Sequence, residues 1–501
     1  MSNIVVRIAA QQQGFLTSIA NQLSKNHHTT IVTSSAVLRD SLIKAHPHLT
    51  VPIDVRSEPS IDLSDDAIVA ACLERESLYG ETFAMIAAYE RGLGKGYIFN
   101  ADRHPDMKRS WWPHLKKITT VLQQFVFYEQ LFDDYEPDAV ISLANAKVLS
   151  LIARAKGVSA LCLTNAKFGN RYFWADNEYI QSSSFEAAVK RHVSQPVGDS
   201  ADRKDDYQKN IGAQIRHSGI DYSYRYAYYK AIRRIYHESY VRLRSSASRL
   251  VRRKGRAAPR NGYGYLGWVP SILRKPYIYN YFRRHGYTPS DLANKKIVYF
   301  PLHLEPEIAL LSVSPEFNNS MELIAWISKS MPADGTVVIK EQPFSYGIRS
   351  KHYYDNLRRM VNVVLADPSV SSWDWIKAAR VVATITGTAG YEAVHFNKPV
   401  ISYGKHQIIN QLPSVRYAHD YASTASQLAD LLDNPPSSSI LNASKVALYS
   451  AQMEVSFVLP GYEWSEQTVG PTPELAQLAI EALRKQCPEV FVTDSAGVAP
   501  A

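Results

Sequence analysis

The alternation of strand-like and helix-like patterns constrains the fold of this 501-residue chain most strongly. The first apolar runs are NIVVRIAA (3–10) and TTIVTSS (29–35), and the amphipathic stretch GFLTSIANQLSKN (14–26) lies between them. The same order continues to about residue 165, and a second run of this kind begins at Lys295. Strands separated by helical patterns predict βαβ units and parallel sheets.

Two runs of this kind predict an α/β fold with two Rossmann-like domains that face each other across a cleft, because a chain of this length exceeds one ordinary core. The predicted units are an N-terminal Rossmann-like domain (1–185), a basic helical insertion and linker rich in Tyr and Arg (186–290), a C-terminal Rossmann-like domain (291–450), a C-terminal helical segment (451–486) and a flexible tail (487–501).

Composition favours a soluble protein in a reducing compartment. No window holds 18 uninterrupted apolar residues, so no membrane-spanning helix is expected. The first residues are interpreted as a strand rather than a secretory signal. Cys72, Cys162 and Cys487 are far apart and in no ligand spacing, which argues against a disulfide framework and a zinc site. We therefore expect a cytoplasmic protein without a bound metal.

The net charge of +9 originates in one basic segment. Between Arg225 and Arg260 there are twelve Lys or Arg residues and one acid, a local charge of +11 that leaves the rest of the chain near −2. In this segment apolar and aromatic residues recur at spacings of three and four, which is typical of an amphipathic helix. They are Tyr229, Ile232, Tyr236, Tyr240, Leu243, Ala247 and Leu250.

Three interpretations of the basic segment remain open. It is a solvated helix packed on the domains, a nucleic-acid-binding element without a recognised module, or a helix that lies on an anionic membrane surface. We favour the membrane surface and do not expect nucleic acid as a partner. The arginines expected to face the membrane are Arg233, Arg234, Arg242, Arg244, Arg252 and Arg253.

The stretch TITGTAGYEAVHFNKPVISYG (384–404) is the clearest ligand-site pattern. A buried strand runs into a turn of Gly and Thr, and a short helix follows that Asn397 is expected to end. Glycines let the backbone approach a phosphate, and the helix N-terminus offers free N–H groups. Glu392, one turn into the helix, has the spacing of a carboxylate that takes both ribose hydroxyls. A tight structural turn with a dipole-favoured acid explains the same pattern.

The chain resembles the capsule polysaccharide biosynthesis family, whose members are GT-B-type glycosyltransferases similar to the Kdo transferases of capsule synthesis. The resemblance rests on the 384–404 stretch and on four further motifs, and it covers most of the chain apart from roughly 190–265 and the tail. These motifs are KEQPFSYGIRS (340–350), IVYFPLHLEPE (297–307), YERGLGKGY (89–97) and GNRYFW (169–174).

The resemblance implies that the C-terminal domain binds the nucleotide of an activated sugar, often CMP-linked, and that the N-terminal domain meets the acceptor. The implied nucleotide-sugar contacts are Lys340, Gln342, Thr386, Gly387, Thr388 and Glu392. The chain departs from the family pattern at Gln342. The family often has Lys-x-His-Pro, whereas here Gln342 replaces the His, and its amide donates a hydrogen bond but brings no charge.

The resemblance also implies cleft residues on both sides. His303 and Glu307 follow a C-terminal strand, and Glu90 lies in the N-terminal half; these three are the predicted catalytic residues. The alternative is that Glu307 lies in a solvated loop and Glu90 on a solvated helix face, without a catalytic role. The predicted acceptor-side residues are Arg91, Asn170 and Arg171.

These features together predict a metal-independent glycosyltransferase that moves a sugar from a nucleotide sugar to a lipid-linked or polysaccharide acceptor. The nucleotide sugar is its substrate, and no cofactor is expected. Such an enzyme would be peripheral on the inner face of the cytoplasmic membrane. A CDP-polyol-phosphate transferase on the same scaffold and a non-catalytic subunit of polysaccharide assembly or export remain alternatives.

Overall fold

A computed structural model of the chain describes most of both sheet domains. The described residues are 1–8, 13–33, 36–52, 61–89, 93, 112–142, 146–195, 228–237, 239–240, 243, 268–303, 305, 308–317, 319–342, 345–460, 473–488 and 490–491.

The N-terminal sheet has six strands in the order β13-β5-β4-β3-β1-β2. Strands β1 to β4 pair in parallel, whereas β5 runs antiparallel to β4, and β13 antiparallel to β5. The parallel strands are nearly continuous apolar runs because helices cover both faces of the sheet. The strands are β1 (Asn3–Ile8), β2 (His28–Thr33), β3 (Ala139–Ser142), β4 (Ser159–Asn165), β5 (Arg171–Ala175) and β13 (Phe457–Val458).

Seven helices belong to the described part of the N-terminal half. They are α1 (Gln13–Leu23), α2 (Ala36–Ala45), α3 (Asp65–Tyr79), α4 (Phe83–Tyr89), α5 (His114–Tyr135), α6 (Lys147–Ala155) and α7 (Ser183–Ser194). Local chemistry sets their ends. The Ser64 hydroxyl accepts a hydrogen bond from Ala67 N at the start of α3, and Gly80 ends that helix with φ 70°. Such a left-handed residue closes a helix most easily when it is glycine.

The C-terminal sheet has seven strands in the order β12-β11-β10-β7-β8-β9-β6, all parallel. Its central strands are fully buried, with Val337, Val338 and Ile339 at 0% exposure. The strands are β6 (Gly286–Tyr287), β7 (Lys296–Pro301), β8 (Gly335–Lys340), β9 (Val363–Ala366), β10 (Val381–Thr384), β11 (Val400–Ser402) and β12 (Val415–Tyr417).

Nine helices follow in the C-terminal half of the described chain. They are α8 (Trp268–His285), α9 (Ile308–Val313), α10 (Ser320–Ser330), α11 (Lys351–Arg358), α12 (Ser372–Ala378), α13 (Thr388–His395), α14 (Tyr421–Asp433), α15 (Ser438–Val455) and α16 (Pro473–Gln486). Short 3-10 turns cover Pro289–Leu292 and Ile408–Gln411. As predicted, Asn397 follows α13 in the left-handed conformation, with φ 55°.

The two sheets confirm the predicted α/β fold with two Rossmann-like domains. One apolar cluster joins the domains, because Phe173 and Phe185 from the N-terminal side share it with Ile408 and Leu448 from the C-terminal side. Helix α7 packs along α15 at this junction. The buried junction fixes how the carboxyl ends of the two sheets face each other.

The structure moves two of the predicted domain boundaries. Helix α8 packs into the C-terminal core and β6 joins the C-terminal sheet, so that domain begins before residue 291. The boundary at 450/451 falls inside α15. From there the chain returns to the N-terminal domain, where β13 pairs with β5 and α16 packs against α1. A two-residue strand carries too little pattern to be read from sequence.

In the part of the chain that the structure describes, no helix has both the length and the apolar character needed to cross a membrane. All three cysteines are buried, and no disulfide joins them.

Candidate functional site

Four neighbouring strands of the C-terminal sheet end at one edge. Parallel pairing sets β10 between β7 and β11, and β8 lies on the far side of β7. The main chain of Tyr403 donates to Thr384 O at 3.0 Å, which extends this register beyond the strands. Ligands of open parallel sheets bind outside such carboxyl ends. The residues that follow β7 and β10 therefore form the first candidate site.

The turn after β10 presents unpaired hydrogen-bonding groups. Gly387 is the N-cap of α13, with φ −73° and ψ 152°; its own N–H donates to Thr384 Oγ1 at 2.9 Å, and no side chain caps the N–H groups of the helix. The first N–H groups of an α-helix have no partner inside the helix. Thr386 is 6% exposed, and its hydroxyl has no hydrogen-bond partner among the described residues. Backbone and hydroxyl donors thus meet at the positive end of α13, an arrangement that suits an anion.

His303, at the end of β7, completes this turn. It is 2% exposed, and its Nε2 accepts a hydrogen bond from Ile385 N at 3.1 Å, which assigns the ring proton to Nδ1. Burial, with smaller effects from Arg349 and Lys167, lowers the pKa of His303 to about 3. A Cβ added to Gly387 would lie 2.9 Å from the ring Cε1 and 3.5 Å from Nδ1. At neutral pH this ring is therefore a hydrogen-bond donor at the turn rather than a base.

Arg349 holds the main chain of His303 in place. Its Nη2 donates to His303 O at 2.6 Å, and its Nη1 donates to Glu341 Oε2 at 2.7 Å. Glu305 Oε2 lies 3.0 Å from Nη2, and Tyr354 OH donates to Glu341 Oε2 at 2.6 Å. All of these side chains are buried. The network thus gives Glu305 and Glu341 structural partners and holds the carbonyl of His303.

We call Thr386, Gly387, Thr388 and His303 the turn cradle. Glu392, four residues further along α13, is partly buried and has no ion-pair partner in the described structure. Burial raises the pKa of its carboxyl, and a hydrogen bond with Trp373 offsets part of that effect. A carboxylate has further acceptor positions, so it can also accept hydrogen bonds from the hydroxyl groups of a ligand.

Lys340 is the last residue of β8, and Gln342 lies two residues after it. The Lys340 ammonium donates to Val370 O at 2.7 Å, and burial lowers its pKa to about 8, although Asp367 and Asp374 raise it. No ion pair joins Lys340 to Glu392 among the described residues. Gln342 is partly exposed. Their roles as nucleotide contacts stay predictions.

A small cavity of about 60 Å³ lies between the domains. Its C-terminal wall contains Thr386, Tyr391 and Gln407, and its N-terminal wall is the turn after β4, including Asn165 and Lys167. No carboxylate lines it among the described residues, whereas Lys167 and the ring of His406 do. The cavity therefore opens the turn cradle toward the N-terminal domain and favours an anionic ligand.

His406 forms a contact across the cleft. Its ring stacks on Tyr179, with centroids 3.7 Å apart and planes 7° apart, and its Nε2 lies 3.2 Å from Glu316 Oε1. Hydrogen bonding to His406 and the nearby Lys405 lower the pKa of Glu316 to about 2, against the effect of burial. The carboxylate therefore remains charged and orients the imidazole in the cavity wall.

Two predicted acceptor-side residues serve another contact. Asn170 Nδ2 donates to Leu459 O at 2.6 Å, and Arg171 Nε donates to Ser456 Oγ at 2.8 Å. Both side chains thereby fasten the returning C-terminal segment to the N-terminal sheet. Their role as acceptor contacts stays a prediction that these bonds do not support. Several predicted residues lie outside the described part of the chain: Glu90, Arg91, Glu307, Arg242, Arg244, Arg252 and Arg253.

Within the described ranges, no group of three or more His, Cys, Asp or Glu side chains is placed to hold a metal ion.

Sequence reasoning missed Lys167, Gln407 and the pair of His406 with Glu316. Lys167 had a usable signal, because it follows the carboxyl end of β4, where open sheets bind ligands. Gln407, His406 and Glu316 had no such signal in the sequence. Gln407, for example, joins the site through hydrogen bonds of its side-chain amide to Ser402 Oγ (2.8 Å) and Ile385 O.

Comparison with solved structures gives low overall similarity. KpsC from Thermosulfurimonas dismutans, described as a beta Kdo 2,7 transferase, is 14% identical over 64% of this chain and 79% of that chain, with a TM-score of 0.32. The glycosyltransferase VinC in complex with DTDP is 12% identical over 96% and 99%, with a TM-score of 0.25. UDP-GlcNAc 2-epimerase from Neisseria meningitidis, bound to UDP-GlcNAc, is 10% identical over 96% and 99%, with a TM-score of 0.23.

Comparison by sequence is more specific in one region. No curated protein matches the chain. The family described as "Capsule polysaccharide biosynthesis protein" matches residues 260–408. That region supplies the whole turn cradle, together with Glu392 and Lys340. Over residues 260–408, the chain is similar to the capsule polysaccharide biosynthesis proteins.

Proposed function

We propose that this chain is a glycosyltransferase of surface-polysaccharide synthesis that takes a nucleotide sugar as donor. The observation that carries the proposal is the turn cradle, where the N–H groups of the first residues of α13, the Thr386 hydroxyl and the neutral ring of His303 are hydrogen-bond donors. The match of residues 260–408 to the capsule polysaccharide biosynthesis family supports the same function.

In this proposal the cradle holds the phosphate of the donor, and Glu392 takes the ribose hydroxyls. As the bond from the anomeric carbon to the phosphate oxygen breaks, negative charge grows on that oxygen. Preorganised N–H and hydroxyl donors stabilise such charge at little reorganisation cost, so this chemistry requires no metal. Because His303 stays neutral above its pKa of about 3, it contributes a hydrogen bond and not a proton.

The acceptor hydroxyl enters from the N-terminal side of the cavity. If the reaction inverts the anomeric centre, a group there removes the proton of the acceptor. Glu90 and Glu307 stay predictions for that role. His406 adds a third group, because its ring lines the cavity and its partner Glu316 keeps a negative charge beside it.

Titration calorimetry tests the donor site. We expect CMP, CDP or UDP to bind the wild type, and Glu392→Ala to weaken the nucleotide that binds by about tenfold or more, since a hydrogen bond to a charged group contributes about 1.5–3 kcal/mol. Glu186→Ala, on the surface of α7, is the matched control and leaves affinity unchanged. Absence of binding by all three nucleotides would contradict the donor site and favour a non-catalytic assembly or export subunit.

The basic segment supports a membrane-surface role for the same protein. Within it, residues 228–237 form a helical stretch on which Tyr229, Ile232 and Tyr236 are 63%, 61% and 78% exposed. Arg233 and Arg234 are exposed on the same stretch. Exposed aromatic and aliphatic side chains beside arginines fit an anionic lipid interface. A surface of this kind suits an enzyme with a lipid-linked acceptor.

Liposome flotation tests the membrane proposal. The wild type is expected to float with vesicles that contain anionic lipid and not with neutral vesicles. Replacing Arg233 and Arg234 by Gln reduces flotation, because each Arg near such a surface contributes about 1 kcal/mol. Arg283→Gln with Arg284→Gln, on exposed positions of α8, controls for net charge. Equal flotation of wild type with neutral and anionic vesicles would refute the electrostatic part of the proposal.

A further inference from the structure

Lys167 stands apart from the other lysines of the described chain in its backbone. It has φ 58°, in the left-handed region that non-glycine residues seldom adopt. Such a conformation costs on the order of 1 kcal/mol or more and persists only where the surroundings impose it. Strain of this kind concentrates at ligand sites.

The surroundings impose this conformation from both domains. On the N-terminal side, Lys167 N donates to Asn165 Oδ1 at 2.7 Å. On the other side, Gln452 of α15 donates from Nε2 to Ala166 O at 2.8 Å, and its Oε1 lies 3.0 Å from His395 Nε2. His395 belongs to α13, the helix whose N-terminus forms the turn cradle. The turn after β4 is therefore fastened directly to the cradle helix.

The neighbour that follows Lys167 adds a second anchor. Phe168 is 1% exposed, and its ring lies 5.0 Å from the ring of His395 and 5.5 Å from that of Tyr449, centroid to centroid. Ala166 and Phe168 are thus both held, and the Lys167 side chain between them lines the cavity between the domains.

The Lys167 ammonium has no counter-ion in the described structure. It forms no ion pair there, and no described carboxylate lines the cavity. Its charge also contributes to the low pKa of His303, so the two groups lie close together. A partly buried cation without a partner attracts an anion strongly. The unpartnered hydroxyl of Thr386 lines the same cavity and points to the same ligand.

We propose that Lys167, carried by the N-terminal domain, is the counter-ion of the phosphate that occupies the turn cradle of the C-terminal domain. This inference rests on the proposed function and adds to it that the phosphate bridges the two domains. The ligand class is a phosphate ester or pyrophosphate. The nucleoside alone makes no contact with Lys167.

Calorimetry with matched ligands tests the inference. The variants are Lys167→Asn, which tolerates the left-handed backbone and removes the charge, and Lys167→Arg, which keeps the charge. Lys156→Asn is the control, because Lys156 is exposed and paired with Asp133, and its loss changes net charge equally. The ligands are inorganic pyrophosphate, CMP, CDP, UDP and the nucleosides cytidine and uridine. Thermal unfolding of each variant verifies folding.

We expect Lys167→Asn to weaken pyrophosphate and the bound nucleotide on the order of 10- to 100-fold, and to leave nucleoside affinity unchanged. Lys167→Arg retains most of the affinity, and Lys156→Asn retains all of it. Equal phosphate affinity of wild type and Lys167→Asn would overturn the inference while the donor site stands. Lys167-dependent pyrophosphate binding without nucleotide binding would overturn the donor site alone. Binding of no phosphate ligand to the wild type would overturn both.

Discussion

The substitution Arg349→Met tests whether the buried network around Arg349 stabilises the loop residues beside the turn cradle. Arg349 is 1% exposed and contacts two buried carboxylates, those of Glu341 and Glu305. Met fills much of the same volume but leaves both charges in a low-dielectric environment. Removing one partner of a buried ion pair costs about 3–5 kcal/mol. We expect an apparent loss of that size in the free energy of unfolding of the C-terminal domain.

The assay is urea unfolding followed by tryptophan fluorescence, since Trp373 and Trp375 are buried in the C-terminal domain. Adding Glu341→Gln to Arg349→Met removes one unpaired charge, and Gln still accepts the hydrogen bond of Tyr354, so part of the loss returns. Lys351→Met is the control, because its pair with Asp355 is exposed and costs less than about 1 kcal/mol. A loss below about 1 kcal/mol for Arg349→Met would refute the reasoning.

Three further predictions concern the turn cradle and Glu392. Gly387→Ala places a Cβ 2.9 Å from both His303 Cε1 and Thr384 Oγ1, so unfolding free energy falls by about 1–3 kcal/mol and nucleotide affinity falls with it; unchanged affinity in calorimetry would contradict the close contact. The pKa of His303 is lowered from 6.5 to about 3, so the unfolded chain binds a proton that the folded chain refuses, and stability decreases by about 1.4 kcal/mol per pH unit as pH falls through that window. ¹⁵N NMR should therefore show a neutral His303 ring at pH 5, and a charged ring would refute the assigned proton. Burial raises the pKa of Glu392, so its contribution to stability falls as pH rises through the folded pKa. Glu392→Gln should therefore be more stable than wild type at pH 8 in urea unfolding while binding nucleotide more weakly, and a loss of stability would contradict the raised pKa of this carboxyl.

The α/β architecture could be predicted from the sequence because strands and helices each leave a local periodicity of apolar residues. Each sheet strand of the C-terminal domain from β7 to β11 carries an apolar run between helical patterns, and turn residues such as Asn397 mark the ends of the helices. The return of the chain to the N-terminal sheet depends on tertiary pairing alone and leaves no such pattern.

The site was predictable only where the chemistry follows a strand end. The turn at Gly387 and the nearby His303 could be placed together, because β7 and β10 are neighbours with carboxyl ends at one edge. Whether a side chain is free is a different question. The Lys340 ammonium reaches Val370 O, a contact that no spacing reveals. The turn that carries Lys167 is held through Ala166 O by Gln452, which lies 286 residues away from Ala166 in the sequence.

The most direct measurement of the central claim is a calorimetric titration of the wild-type protein with CMP, CDP and UDP, repeated with Glu392→Ala. The account predicts binding of at least one nucleotide, with a loss of about tenfold or more in the variant. Binding of none of the three, or binding that Glu392→Ala leaves unchanged, would contradict a donor site at the turn after β10.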